Sequence, residues 1–82
     1  MLIGVYSMAA TTLIRITNTS AQLIPIMVNS IDAKKANTKS SVPSTSEGVY
    51  QMVAGSEITI ELQRVSVSQL NQLQNLGQIK YS

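Results

Sequence analysis

Apolar and polar residues alternate with a period of two along much of this chain, and that period belongs to β-strands. Over residues 13–17, Ile14 and Ile16 face one way while Leu13, Arg15 and Thr17 face the other. Residues 22–29 repeat the pattern, with Ile24, Ile26 and Val28 on the expected core side and Leu23, Pro25 and Met27 opposite. Between the two runs stands Asn18-Thr19-Ser20-Ala21, a knot of residues that hydrogen-bond their own backbone and tolerate turns. The pattern predicts a hairpin with this knot as its loop. Pro25 has no N–H to give to a ladder, so its strand is expected at a sheet edge or with a bulge. One face of the hairpin can pack on the core; the other, carrying Leu13, Leu23 and Met27, needs cover from elsewhere.

Further on, Val49-Tyr50-Gln51-Met52-Val53 and residues 57–63 flank Ala54-Gly55-Ser56, which predicts a second hairpin with Gly55 free to take positive φ. In the latter run Ile58, Ile60 and Leu62 alternate with Glu57, Thr59 and Glu61, so its outer face is expected to be wet. Leu70, Leu73 and Leu76 recur at helical spacing, Ser66 with Gln69 matches a capping box, and Gly77 stands where a helix would stop. A short helix is predicted there, and the closing Gln-Ile-Lys-Tyr-Ser returns to strand alternation. Residues 30–48, rich in Ser, Thr, Lys and Asn, form a long loop with Ile31 and Val42 as its only sizeable apolar anchors. A loop of this length is usually mobile or ordered by a partner.

The fold class that follows is mainly β: a small antiparallel β-sandwich or open barrel, with one short α-helix before the C-terminal strand. It divides into an N-terminal arm, residues 1–12, and a single β domain, residues 13–82. The arm opens with an apolar run, residues 1–6, that lacks a basic leader and is too short for a signal peptide or a bilayer span. It reads as mature sequence, and both Met1 and Met8 suit a translation start. Extended, ten such residues reach roughly 30 Å, enough to lie along another subunit.

Composition sharpens this picture. A chain of 82 residues buries only about 60% of the surface its unfolded form exposes. It has no Cys for a disulfide and no His, Phe or Trp, so the core must be aliphatic and lacks the usual reinforcements. Oligomerisation is the remaining route to extra stability, and a homo-oligomer is expected. Six basic and four acidic residues give a net charge of +2, and charged residues are 12% of the chain against a usual ~25%. That charge density suits neither nucleic acid nor a membrane surface as a partner; it suits a surface occupied by other protein.

Chemical motifs are sparse. Without His or Cys the common nucleophile triads are excluded. Glu57 and Glu61, placed on one strand face, stand about 13 Å apart, too far for a glycosidase pair. Phosphate loops, zinc spacings and calcium loops are absent from the sequence, and no cofactor is expected. Lys34, Lys35 and Lys39 form the one basic cluster, without interleaved aromatics for base stacking, and read as a solvated loop tip. Tyr6, Tyr50 and Tyr81 suit either interface anchors or half-buried strand positions.

The order of "ITNTSAQLIPI", "GSEITIEL" and "SQLNQLQNLGQIKYS" resembles small β-rich structural proteins of tailed-bacteriophage virions, over residues 13–81. The resemblance implies a non-enzymatic component of the virion, such as a capsid decoration or cement subunit or a head-fibre base, that binds and stabilises neighbouring capsid subunits. A tail or neck adaptor is the alternative, and a small host-surface or carbohydrate-binding module a second. Major capsid or tail proteins are then the expected partners. The expected contact residues are Leu2, Ile3, Val5 and Tyr6 in the arm, with Leu23, Pro25 and Met27 on the outer hairpin face and edge.

Overall fold

The computed structural model describes residues 12–82. The arm residues Leu2, Ile3, Val5 and Tyr6 lie outside them. Five strands appear in chain order: β1 Leu13–Asn18, β2 Ile24–Val28, β3 Gly48–Met52, β4 Glu57–Glu61 and β5 Ile79–Tyr81. A 3-10 turn, Leu62–Arg64, and helix α1, Val67–Asn75, lie between β4 and β5. The fold is mainly β, with the predicted helix directly before the last strand.

Alternation located these strands and their faces, but not their partners. β1 pairs antiparallel with β4, setting Ile14 against Ile60 and Ile16 against Ile58, and on its other side with β5. β2 pairs with β3, Ile26 opposite Tyr50 and Met27 opposite Val49. The result is a three-stranded sheet, β4-β1-β5, and a two-stranded sheet, β2-β3, which do not close into a barrel. Neither predicted hairpin forms. The chain changes sheet after β1 and changes back after β3, and Leu13 therefore shares no face with Leu23 and Met27.

The polar knot explains the first change. Asn18 is buried, and its Nδ2 donates to the carbonyls of Gln22, 2.8 Å, and Met52, 2.9 Å. Its Oδ1 accepts from the Ser20 N–H at 2.9 Å and the Ser20 hydroxyl at 2.7 Å. One amide thus ties the end of β1 to the end of β3 and shapes a corner. Gly55, at φ 78°, donates its N–H to the Asn18 carbonyl and closes the second corner against the first.

The core is the aliphatic one that the composition requires. Ile14, Ile16, Ile58, Ile60 and Ile79 from the larger sheet meet Ile24, Ile26, Val28 and Met52 from the smaller, with Val42, Val65 and Leu70 joining from the connections. α1 begins at Ser66, whose hydroxyl accepts the Gln69 N–H, and ends in a Schellman motif: Gly77 at φ 74° donates to the Gln74 carbonyl and Gln78 to that of Leu73. Only part of the leucine stripe faces inward. Leu70 is buried and Leu73 half-buried, whereas Leu76 is 71% exposed.

Residues 30–48 are held by the chain itself. Glu61, expected on a wet face, is buried, because the segment folds over the end of β4. Its carboxylate accepts from Arg64 Nη1 at 2.9 Å and from the Asn37 N–H at 2.7 Å. Arg64, also buried, spends its other donors on the carbonyls of Asn29, Val42, Pro43 and Ser46. Val42 seals the segment against the core and Ile31 is half-buried. Burial alone would push the Glu61 carboxyl up; the Asn37 N–H, the Arg64 guanidinium, Glu61's own N–H and the Ser40 hydroxyl outweigh it, and the group titrates below its ordinary value.

Candidate binding surface

The two sheets turn different outer faces to water. On the larger sheet that face is polar, with Arg15, Thr17, Thr59 and Lys80 around an Arg15–Glu57 ion pair of 3.0 Å that remains largely exposed. A shallow depression there is lined by Arg15, Thr17, Glu57, Lys80, Tyr81 and Ser82. An exposed pair of this kind is worth little to stability and adjusts easily to solvent.

On the smaller sheet the outer face is apolar. Alternation puts Ile24, Ile26 and Val28 inward, which forces Leu23, Pro25 and Met27 outward. The register then sets Val49 beside Met27 and Gln51 beside Pro25, and Leu23 and Val53 follow directly beyond the last registered pair, Ile24–Met52. Leu23 is 55% exposed, Met27 52%, Val49 52% and Val53 61%. Among the described residues these four account for most of the large exposed apolar side chains, the remainder being Val67 and Leu76. Single exposed apolar residues are normal; here four stand in one uncharged row on a single sheet face.

Leu23, Pro25 and Met27 were legible as outward residues, and the structure sets all three on this face. Val49 and Val53 complete it. The alternation of Val49, Gln51 and Val53 against Tyr50 and Met52 carried that signal; knowledge of which strand lies beside β2 was needed to join the two rows.

The backbone edges are treated unequally. At β2, Gln69 Oε1 accepts the Met27 N–H at 3.0 Å and Gln69 Nε2 donates to the Pro25 carbonyl at 3.2 Å. The Asn29 N–H goes to the Arg64 carbonyl at 2.8 Å. The edge around Pro25, expected to pair with another chain, is thus already filled by α1 and the turn before it. At β5, Gln74 Oε1 accepts the Tyr81 N–H at 3.0 Å. At β4, the Ser41 N–H and hydroxyl bond the Thr59 carbonyl while that hydroxyl accepts the Thr59 N–H.

β3 is different. Pro25, Met27 and Asn29 direct their backbone groups away from β3, so Ile24, Ile26 and Val28 are the residues that exchange bonds with it. Their partners Met52, Tyr50 and Gly48 face β2, which leaves the N–H and C=O of Val49 and Gln51 on the outer edge. Among the described residues nothing pairs with them there.

Among the described residues no group of three or more Cys, His, Asp or Glu is placed to hold a metal ion, and no helix is long and apolar enough to cross a membrane. Lys34, Lys35 and Lys39 are exposed on the long segment. Tyr50 and Tyr81 are half-buried against the core, and the Tyr81 hydroxyl donates to Asn71 Oδ1. No protein-family model, curated protein or solved structure matches the chain.

Proposed function

We propose that this chain is a non-enzymatic structural protein that binds neighbouring protein subunits through the outer face of its β2-β3 sheet, and that it does so as a component of a phage virion. The observation that carries the binding role is the uncharged row formed by Leu23, Met27, Val49 and Val53, each more than half exposed. Fully burying a side chain of this size from water is worth about 1.5–3 kcal/mol; these are already about half covered, so a partner seated on the row gains roughly half of that from each, against the cost of association. We read the two sheets as a small open sandwich with one wet and one sticky side. The virion setting rests on the resemblance of residues 13–81 to phage structural proteins, with decoration or cement of a capsid as the leading form.

The direct test is co-sedimentation of the purified protein with assembled capsid shells and, separately, with tail or neck proteins. Binding to shells supports decoration; binding to tail or neck proteins alone replaces decoration with the adaptor role. Met27→Lys, which introduces a charge into the row without touching the core, should abolish whichever binding is found. Unchanged binding by that variant would overturn the assignment of this surface.

A further inference from the structure

The edges of the two sheets receive separate treatment from the sequence: Gln69 fills β2, Gln74 reaches β5 and Ser41 covers the centre of β4, whereas the Val49 and Gln51 backbone of β3 is bare. Exposed edges are normally blunted by Lys, Pro, a bulge or a covering segment, because they template pairing with another chain. β3 carries none of these; Gly48–Met52 reads Gly-Val-Tyr-Gln-Met, without charge or proline. We propose that β3 pairs antiparallel with β3 of a second copy across a two-fold axis, joining the two small sheets into one four-stranded sheet β2-β3-β3-β2. This rests on the reading of the protein as a partner-binding module and names one partner for it.

The register follows from the groups left over. Antiparallel strands related by a two-fold axis must pair some residue with itself or place the axis between residues. With Tyr50 on the axis, Val49 of each copy lies opposite Gln51 of the other, and the pair exchanges both N–H···O=C bonds. All four unpartnered main-chain groups of each edge are then used. A register centred on Gln51 would instead call on Val53, whose carbonyl already accepts from the Ser56 N–H and hydroxyl. The Tyr50 side chains, half-buried on the inner side, meet at the axis as a non-hydrogen-bonded pair, the closer kind. No like charges are brought together, since these five residues carry none. The two apolar rows become continuous, so a partner seated on the assembled face contacts both copies.

A second copy fits this edge because it presents the same unpartnered main-chain groups of Val49 and Gln51 in complementary order.

The full-length protein is tested by sedimentation equilibrium over a concentration series and by cross-linking, which the absence of native Cys makes clean. A reversible dimer is expected. Gln51→Pro removes an outward N–H that makes no internal bond and should weaken the dimer by at least about tenfold. Mixing Val49→Cys protein with Gln51→Cys protein should give, on mild oxidation, a mixed disulfide dimer in preference to either like pair, because paired positions of this type lie about 5.5 Å apart. A monomer at every concentration, or an oligomer without the mixed cross-link, overturns the proposal. Met27→Lys separates the two readings: it should abolish binding to shells or tail parts while leaving the β3 dimer and its cross-link intact.

Discussion

Gln69 and Met27, 42 residues apart, are joined by a 3.0 Å hydrogen bond in which a helix side chain takes the place of a neighbouring strand. The sequence pattern assigned Gln69 to the return half of a capping box, bonded to its own helix start. Its N–H does meet the Ser66 hydroxyl, but its side chain instead fills the β2 edge on both the donor and the acceptor side. Gln69→Ala therefore frees two backbone groups at an exposed edge. We expect a loss of about 1–2 kcal/mol in denaturant unfolding and a new tendency to self-associate through the freed β2 edge, read by light scattering against the parent.

Arg64 satisfies the buried Glu61 and four carbonyls at once. Arg64→Met removes one member of a buried ion pair and leaves a carboxylate and several carbonyls without their donor. The expected cost is about 3–5 kcal/mol, a large fraction of what so small a domain has, with amides of residues 37–46 losing hydrogen-exchange protection first. Arg64→Lys should recover only part of it, since an ammonium cannot reach the same spread of acceptors.

Why was this cluster not legible? Glu61 sits in the most regular alternation of the chain, Glu57 to Leu62, where period two assigns it to the same wet face as Glu57. That logic holds for Glu57, which is exposed beside Arg15. It fails at Glu61 because a segment distant in sequence folds over the strand end, and nothing local announces a cover supplied by residues 37–46. Strand pairing escaped for a similar reason. Asn-Thr-Ser-Ala and Ala-Gly-Ser are as suited to a corner between sheets as to a hairpin, and only the long-range bond from Asn18 to Met52 distinguishes them. What local physics did determine, namely the inward faces of β1, β2 and β4, the Ser66 cap and the Gly77 stop, was readable because each depends on residues within a few positions of one another.

Asn18 offers a sharper test of the corner than a truncation does. Asn18→Asp keeps the size and the Oδ1 acceptor toward Ser20, but replaces the Nδ2 donor that serves Gln22 and Met52 with a second acceptor. A buried carboxylate facing two carbonyls is expected to cost more than about 2 kcal/mol at neutral pH. Part of that loss should return as pH falls toward about 4, because burial beside two carbonyls raises the carboxyl above the ordinary aspartate value of about 3.9 and the protonated acid can donate again. A variant as stable as the parent at neutral pH would show that the corner does not depend on this amide.

Acidification reports on Glu61 from the other direction. Its carboxyl titrates below the ordinary 4.5 in the folded protein, so the unfolded chain takes up the proton first as pH falls. The stability that Glu61 contributes is then complete above the unfolded value and disappears as pH drops through the lower, folded one. Between about pH 5 and pH 3, midpoint denaturant concentrations should decline for the parent protein, with residues 37–46 releasing ahead of the sheets. Glu61→Gln keeps the acceptor for Asn37 and removes the titration, so its stability should be lower at pH 7 and flatter across that interval. The exposed Arg15–Glu57 pair is worth little to stability; Glu57→Gln is therefore the surface-charge control and should leave the decline seen in the parent in place. An equal flattening by both variants would assign the acid sensitivity to surface charge and not to the buried cluster.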